Sequence, residues 1–130
     1  MDKDLQAKQE ARDLAKQAEA AQKELFFFPQ EKLDDITRAV ARAFEAASPE
    51  LAHMAVEETG FGNVDDKITK NKFASRRVLE AIEPMKTVGI LKEEPGIWEV
   101  GVPVGVIAAI VPSTNPTSTV CYKALIALKA

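Results

Sequence analysis

The stretch Gly105-Val-Ile-Ala-Ala-Ile-Val-Pro-Ser-Thr-Asn-Pro-Thr-Ser-Thr119 constrains this chain more than any other. Val106 to Val111 is a short unbroken apolar run, the pattern of a strand covered on both faces. Pro112 and Pro116 punctuate the backbone after it. Pro116 has the fixed φ that suits a first helical position, and Asn115 stands where an N-cap would. Pro116 to Lys129 then reads as a helix. A strand, a tight turn and a helix N-terminus together form a common ligand-meeting place in α/β proteins. Asn115, at the tip, has two readings. Its side chain can cap the helix, the commoner use of Asn there. Its amide can instead donate a hydrogen bond to an oxygen that gains charge during a reaction.

Composition excludes several function classes. The 130 residues suit one domain. With 46% hydrophobic and 28% charged residues, the chain is ordinary for a globular protein. A net charge of -3 without any basic block offers no footprint for nucleic acid. No apolar run reaches membrane-spanning length, and the N-terminus lacks the pattern of a secretory signal. One cysteine cannot close an internal disulfide, which fits a reducing cytoplasm. The last helix meets Ala130 without a glycine or other stop signal. Ala130 is therefore not expected to be a natural end.

The residues before the turn read as helices. Asp4 to Glu24 is rich in good helix formers, with Leu14, Ala18 and Ala21 on a narrow stripe that predicts a peripheral helix packed on its own domain. Phe26 to Phe28 are expected to anchor that helix in the core, with a partner-binding patch as the other use of such area. Gln30 to Ala47 is amphipathic through Leu33, Ile36, Val40 and Phe44. Ser48 and Pro49 predict the start of a separate helix, with Leu51, Met54 and Ala55 inward and Gly60 as its left-handed end. Asn63 with Asp66 predicts a capped helix from Val64 to Glu83. Its inner face would carry Ala74, Val78, Ala81, Ile82 and Met85. Lys67, Lys70, Lys72, Arg76 and Arg77 read as its solvated side, with an anion site as the alternative. Thr87 to Pro95 reads as loop and Ile97 to Val102 as an edge strand.

Several other features carry no chemistry. His53 has no companion at metal-ligand spacing, so no metal site is expected. Glu57 and Glu58 do not face one another. Gly60-Phe-Gly62 has no strand before it, and Gly101 with Gly105 lacks the third glycine of the dinucleotide fingerprint. Cys121 lies in an apolar part of the last helix and reads as a packing residue.

Separate motifs agree in order and spacing with one family. Pro103-Val-Gly-Val-Ile-Ala-Ala-Ile-Val-Pro-Ser-Thr-Asn-Pro-Thr-Ser-Thr119, then Lys123-Ala-Leu-Ile-Ala-Leu-Lys129, resembles the CoA-acylating aldehyde dehydrogenases, and within them the aldehyde dehydrogenase half of bifunctional aldehyde–alcohol dehydrogenases. Met54-Ala-Val-Glu-Glu-Thr-Gly-Phe-Gly62 and Asp66-Lys-Ile-Thr-Lys-Asn-Lys-Phe-Ala-Ser75 resemble the same family.

The resemblance implies an α/β fold. A helical layer over 1–86 would precede the first strands and helix of an incomplete, Rossmann-variant nucleotide-binding domain over 87–130. It implies a dehydrogenase that turns a small aldehyde, NAD or NADP, and coenzyme A into acyl-CoA and reduced cofactor. Acetaldehyde is the family-level substrate, and a homo-oligomer the family-level assembly. On that likeness, Asn115 is the oxyanion donor, and Ile110, Val111, Pro112, Ser113 and Thr114 run under the nicotinamide. Members of the family without CoA chemistry carry Trp before this Asn. Thr114 holds the place here, as in the acylating branch. The family nucleophile belongs to a later segment and is not Cys121. The alternative from the residues alone is a noncatalytic helical module that binds a partner through Phe26 to Phe28. A further expectation is that this chain alone leaves Val106 to Val111 partly uncovered.

Overall fold

The computed structural model describes residues 2–130. Helix α1 (Lys3–Leu25) buries none of its residues and packs against no other element. Its intrahelical pairs are solvated: Lys8 with Asp4 at 3.6 Å and Lys23 with Glu19 at 3.0 Å. Each such pair contributes only about 0.3–0.5 kcal/mol. The expected packing of α1 on its own domain is therefore absent, and Leu14 stays exposed. Phe26 and Phe27 meet edge to face at 5.2 Å between centroids, but both are exposed, Phe27 at 82%. They do not anchor a core. Only Phe28 is half-buried, with the Lys32 ammonium 3.6 Å from its ring centre.

The core forms where helices α2 (Gln30–Thr59), α3 (Val64–Lys72), α4 (Val78–Ile82) and α5 (Pro116–Lys129) meet. Ala41, Ala74, Cys121 and Leu125 are buried at its centre, with Val40, Phe44, Val78, Leu79 and Ile82 packed around them. Small residues let the helices approach closely, and Leu125 at 0% exposure fills the space between them. The expected break at Ser48 does not occur. α2 runs on through Pro49 as one helix of 30 residues. Ser48 is buried, and its hydroxyl donates to the Phe44 carbonyl at 2.9 Å rather than capping a new helix. Asn71 donates to the Ser48 carbonyl at 3.3 Å. Buried partners thus hold the turn where Pro49 removes a backbone donor. Gly60 ends α2 with φ 68°, and Asn63 caps α3 by accepting from Asp66 N–H at 2.9 Å, both as expected.

The helix predicted from Val64 to Glu83 is interrupted by a π-helical turn, Phe73–Arg77. The extra residue puts Ala74 and Ser75 side by side in the core. Ser75 Oγ donates to the Asn71 carbonyl at 2.9 Å. Val78 and Ile82 pack against the core as expected, whereas Ala81 and Met85, the latter past the helix end, are exposed rather than inward.

Strand β1 (Gly89–Glu94) pairs antiparallel with β2 (Ile97–Gly101), with Gly89 opposite Gly101 and Glu94 opposite Ile97. β1 replaces the loop expected over Thr87 to Pro95. Its run of Lys92, Glu93 and Glu94 conceals a strand because all six positions face water and no alternation is required. Gly96, at φ 82°, closes the Pro95-Gly96 turn. One polar network ties the hairpin to the helices. Gln30 Oε1 accepts from the backbone of Thr87 at 2.7 Å and Val88 at 3.0 Å. Thr87 Oγ1 donates to the Lys129 carbonyl at 2.5 Å. Lys129 is buried, and its ammonium donates to Asp34 at 2.6 Å and to the Glu83 carbonyl at 3.0 Å.

Val106 to Val111 is not a strand here. No described residue forms a ladder with it, and Val106, Ile107, Ile110 and Val111 are exposed. The apolar run has the composition of a covered strand without the neighbours that would cover it.

Candidate active site

The turn 112–115 hangs between this uncovered segment and the start of α5. Three residues of α3, spaced i, i+3 and i+4 and so on one face, hold it. Lys67 Nζ donates to the Thr114 carbonyl at 3.0 Å. Lys70 Nζ donates to Asn115 Oδ1 at 2.5 Å. Asn71 Oδ1 accepts from Thr117 Oγ1 at 2.9 Å. Helical periodicity alone puts Lys67 and Lys70 on a solvated side. Lys67 is in fact only 6% exposed, and Lys70 reaches the turn. The signal that could have found them is their shared helical face beside Asn71.

Asn115 occupies the N-cap position of α5, yet its side chain makes no capping bond. With Lys70 on Oδ1, the amide Nδ2 has one neighbour, Thr114 Oγ1, at 3.4 Å, the long limit of a hydrogen bond. The amide therefore keeps its donor capacity. It can stabilise an oxygen that gains negative charge beside the turn.

Ile110 to Thr114 are all exposed, Ile110 at 82%. Among the described residues their backbone makes no bond to other backbone. Two of their carbonyls are fixed by lysines, Thr114 by Lys67 and Ile110 by Lys123. The remaining backbone groups of the segment are free to take hydrogen bonds from a ligand. The segment supplies no cationic or backbone cradle for a pyrophosphate. An open groove of about 610 Å³ runs between Ile107, Ala109 and Val111 on one side and Val120, Ala124 and Ala127 of α5 on the other. Its lining is apolar except for Lys123, which suits a layer of protein better than a charged dinucleotide.

Cys121 is 1% exposed in the core, and burial pushes its thiol up to about 11. A thiol in that state is not a nucleophile near neutrality. His53 lies exposed on α2. Among the described residues no cluster of His, Cys, Asp and Glu could hold a metal ion, and no helix is long and apolar enough to cross a membrane.

The aldehyde dehydrogenase family profile matches residues 3–130, and the chain belongs to that family. Several of its relatives are named as acylating or acetylating enzymes. The acetylating aldehyde dehydrogenase of Geobacillus thermoglucosidasius superposes with a TM-score of 0.96 at 51% identity, over 98% of this chain and 29% of that one. The bifunctional aldehyde-alcohol dehydrogenase of Escherichia coli (strain K12) is 46% identical over 118 residues, 89% of this chain and 13% of the relative. The acylating sulfoacetaldehyde dehydrogenase of Bilophila wadsworthia is 43% identical over 124 residues, 92% of this chain and 26% of the relative. The chain thus spans between about an eighth and under a third of the length of these relatives.

Proposed function

We propose that this chain is the N-terminal segment of an NAD(P)-dependent, CoA-acylating aldehyde dehydrogenase, and that it supplies the oxyanion donor and part of the nicotinamide bed. The observation that carries this reading is Asn115. Its carbonyl oxygen is occupied by Lys70 while its N–H₂ is left without a firm partner at the lip of an open turn. A thiolate that attacks an aldehyde carbonyl pushes charge onto the oxygen, and in this reading the Asn115 amide donates a hydrogen bond to that oxygen. Bound NAD supplies the hydride acceptor and coenzyme A the acyl acceptor. The chain's own part is to hold the backbone from Ile110 to Thr114 and to present the amide. Thr114, beside that amide, is small and exposed, which leaves room for a thiol acceptor. Cys121 is sealed in the core, so the attacking thiol belongs to residues outside these 130.

The complete dehydrogenase carrying this segment is the test object. With acetaldehyde, NAD and coenzyme A it should form NADH and an acyl-CoA thioester, identified by mass. NADH formed with free acid as the sole product would contradict the CoA reading. The exposed Phe26 and Phe27, and the uncovered face at Val106 to Val111, support a homo-oligomeric assembly. They equally suit the covering of this segment by the rest of its own enzyme. Cytoplasmic residence accords with the single buried cysteine.

A further inference from the structure

An asparagine side chain is nearly symmetric in shape. Its oxygen and nitrogen exchange places by a half-turn about the last bond, and only their hydrogen-bond partners choose between the two orientations. For an oxyanion donor the choice is decisive. With Nδ2 toward the reacting oxygen the amide stabilises the charge, whereas with Oδ1 there it repels it. The residue that contacts the Asn115 amide oxygen is Lys70, at 2.5 Å from Oδ1. An ammonium has three donors and no acceptor, so it can meet the amide only at its oxygen. The other neighbour, Thr114 Oγ1, can donate or accept and selects neither orientation. Among the described residues neither Lys70 nor Lys67 is paired with a carboxylate within salt-bridge distance, whereas eight other ion pairs form. One turn earlier on the same face, Lys67 is buried and clamps the carbonyl of Thr114.

Resting on the reading of Asn115 as oxyanion donor, we infer that Lys70 is a positioning residue for catalysis. It locks the Asn115 amide with its N–H₂ toward the reacting oxygen, while Lys67 holds the backbone one residue before it. Lys70 acts through Asn115 and does not touch the substrate. Its cation also polarises the amide and makes it a stronger donor.

The test is a double-mutant cycle in the complete dehydrogenase carrying this segment. Lys70→Met should lower kcat about tenfold, the worth of one charged hydrogen bond, and leave the KM for NAD and for coenzyme A within about twofold. Lys70→Arg, which again offers donors only, should restore most of the rate. In an Asn115→Ala background, Lys70→Met should cost nothing further. The inference is overturned if Lys70→Met leaves kcat unchanged, or if it costs the same factor with and without Asn115. Lys70 lies on the surface, so its truncation leaves the core intact. Unchanged thermal melting of each variant confirms this, and a Lys70→Met variant that melts early is replaced by Lys70→Gln, which should be intermediate in kcat. If Asn115→Ala alone leaves the rate unchanged, the oxyanion reading itself fails. If Asn115→Ala is costly while Lys70→Met is neutral, only the role of Lys70 fails.

Discussion

Asn115 and Cys121 lie on the same turn-and-helix unit, and their surroundings give them opposite chemistry. The amide stands at the surface with its nitrogen open, whereas the thiol is enclosed by Ala41, Ala74 and Leu125. The Cys121 thiol, pushed up to about 11 by burial, should resist a disulfide reagent at pH 8 while the protein is folded and react at once in denaturant. Rapid native-state labelling would contradict the packing seen here. The same shift has a pH consequence. The unfolded chain loses the thiol proton near the ordinary value of 9.0 and the folded chain only near 11. The unfolded state then binds fewer protons, so this residue lowers stability as pH rises through that window. Cys121→Ser should flatten the alkaline limb of a stability-versus-pH curve. The turn that carries Asn115 was legible because Pro116 sets the first helical position of α5. The roles of Lys67 and Lys70 were not, because a lysine on an amphipathic helix ordinarily means solvent, and only the docking of α3 against the turn changes that meaning.

At the scale of elements, the ion pair of Asp34 and Lys129 joins the start of α2 to the end of α5. Burial alone would raise the Asp34 carboxyl, but hydrogen bonds from Lys129 and Gln30 and the nearby cations outweigh it and hold it below the usual carboxylate value. Its contribution is therefore present above the unfolded carboxylate value and is lost as pH falls through the lowered folded one. Lys129→Met takes the cation from both Asp34 and the Glu83 carbonyl and should cost about 3 kcal/mol. Thermal melts of the variant at neutral pH check this, and an unchanged midpoint would contradict it. Gly101 is limited by space, not by φ. A Cβ there would lie 2.2 Å from the Thr87 carbonyl oxygen, which is backbone and cannot give way. Gly101→Ala should free the hairpin, seen as faster proteolysis between Thr87 and Pro103, and equal protease resistance would refute the close approach. Helix propensity made α1 readable, the proline at its first position made α5 readable, and the Asn63 cap gave the start of α3. The Ser48-Pro49 pair misled because a buried Ser48 and Asn71 secure a turn that local preference would break. The π-helical turn left no trace in the hydrophobic period, because Ala74, Val78 and Ile82 keep facing the core through it. β1 was hidden because a wholly exposed strand has no pattern to keep.

For the whole molecule, the apolar segment from Val102 to Val111 is the outstanding fact. The composition of Val106 to Val111 announced a covered strand, and the described residues leave it bare and unpaired. An isolated 1–130 chain should associate or bind a hydrophobic dye, and a sharp, reversible monomeric melt without dye binding would contradict that. The α/β class was legible from the run, turn and helix together, whereas the covering of the run depends on residues that no local pattern can supply. The central claim is that this segment presents a free amide to a developing oxyanion. Its most direct test grafts residues 1–130 in place of the matching part of the Geobacillus thermoglucosidasius enzyme and measures kcat/KM with acetaldehyde, NAD and coenzyme A. The chimera should be active and should lose about two to three powers of ten on Asn115→Ala with its fold intact. An active chimera indifferent to Asn115→Ala would contradict the claim.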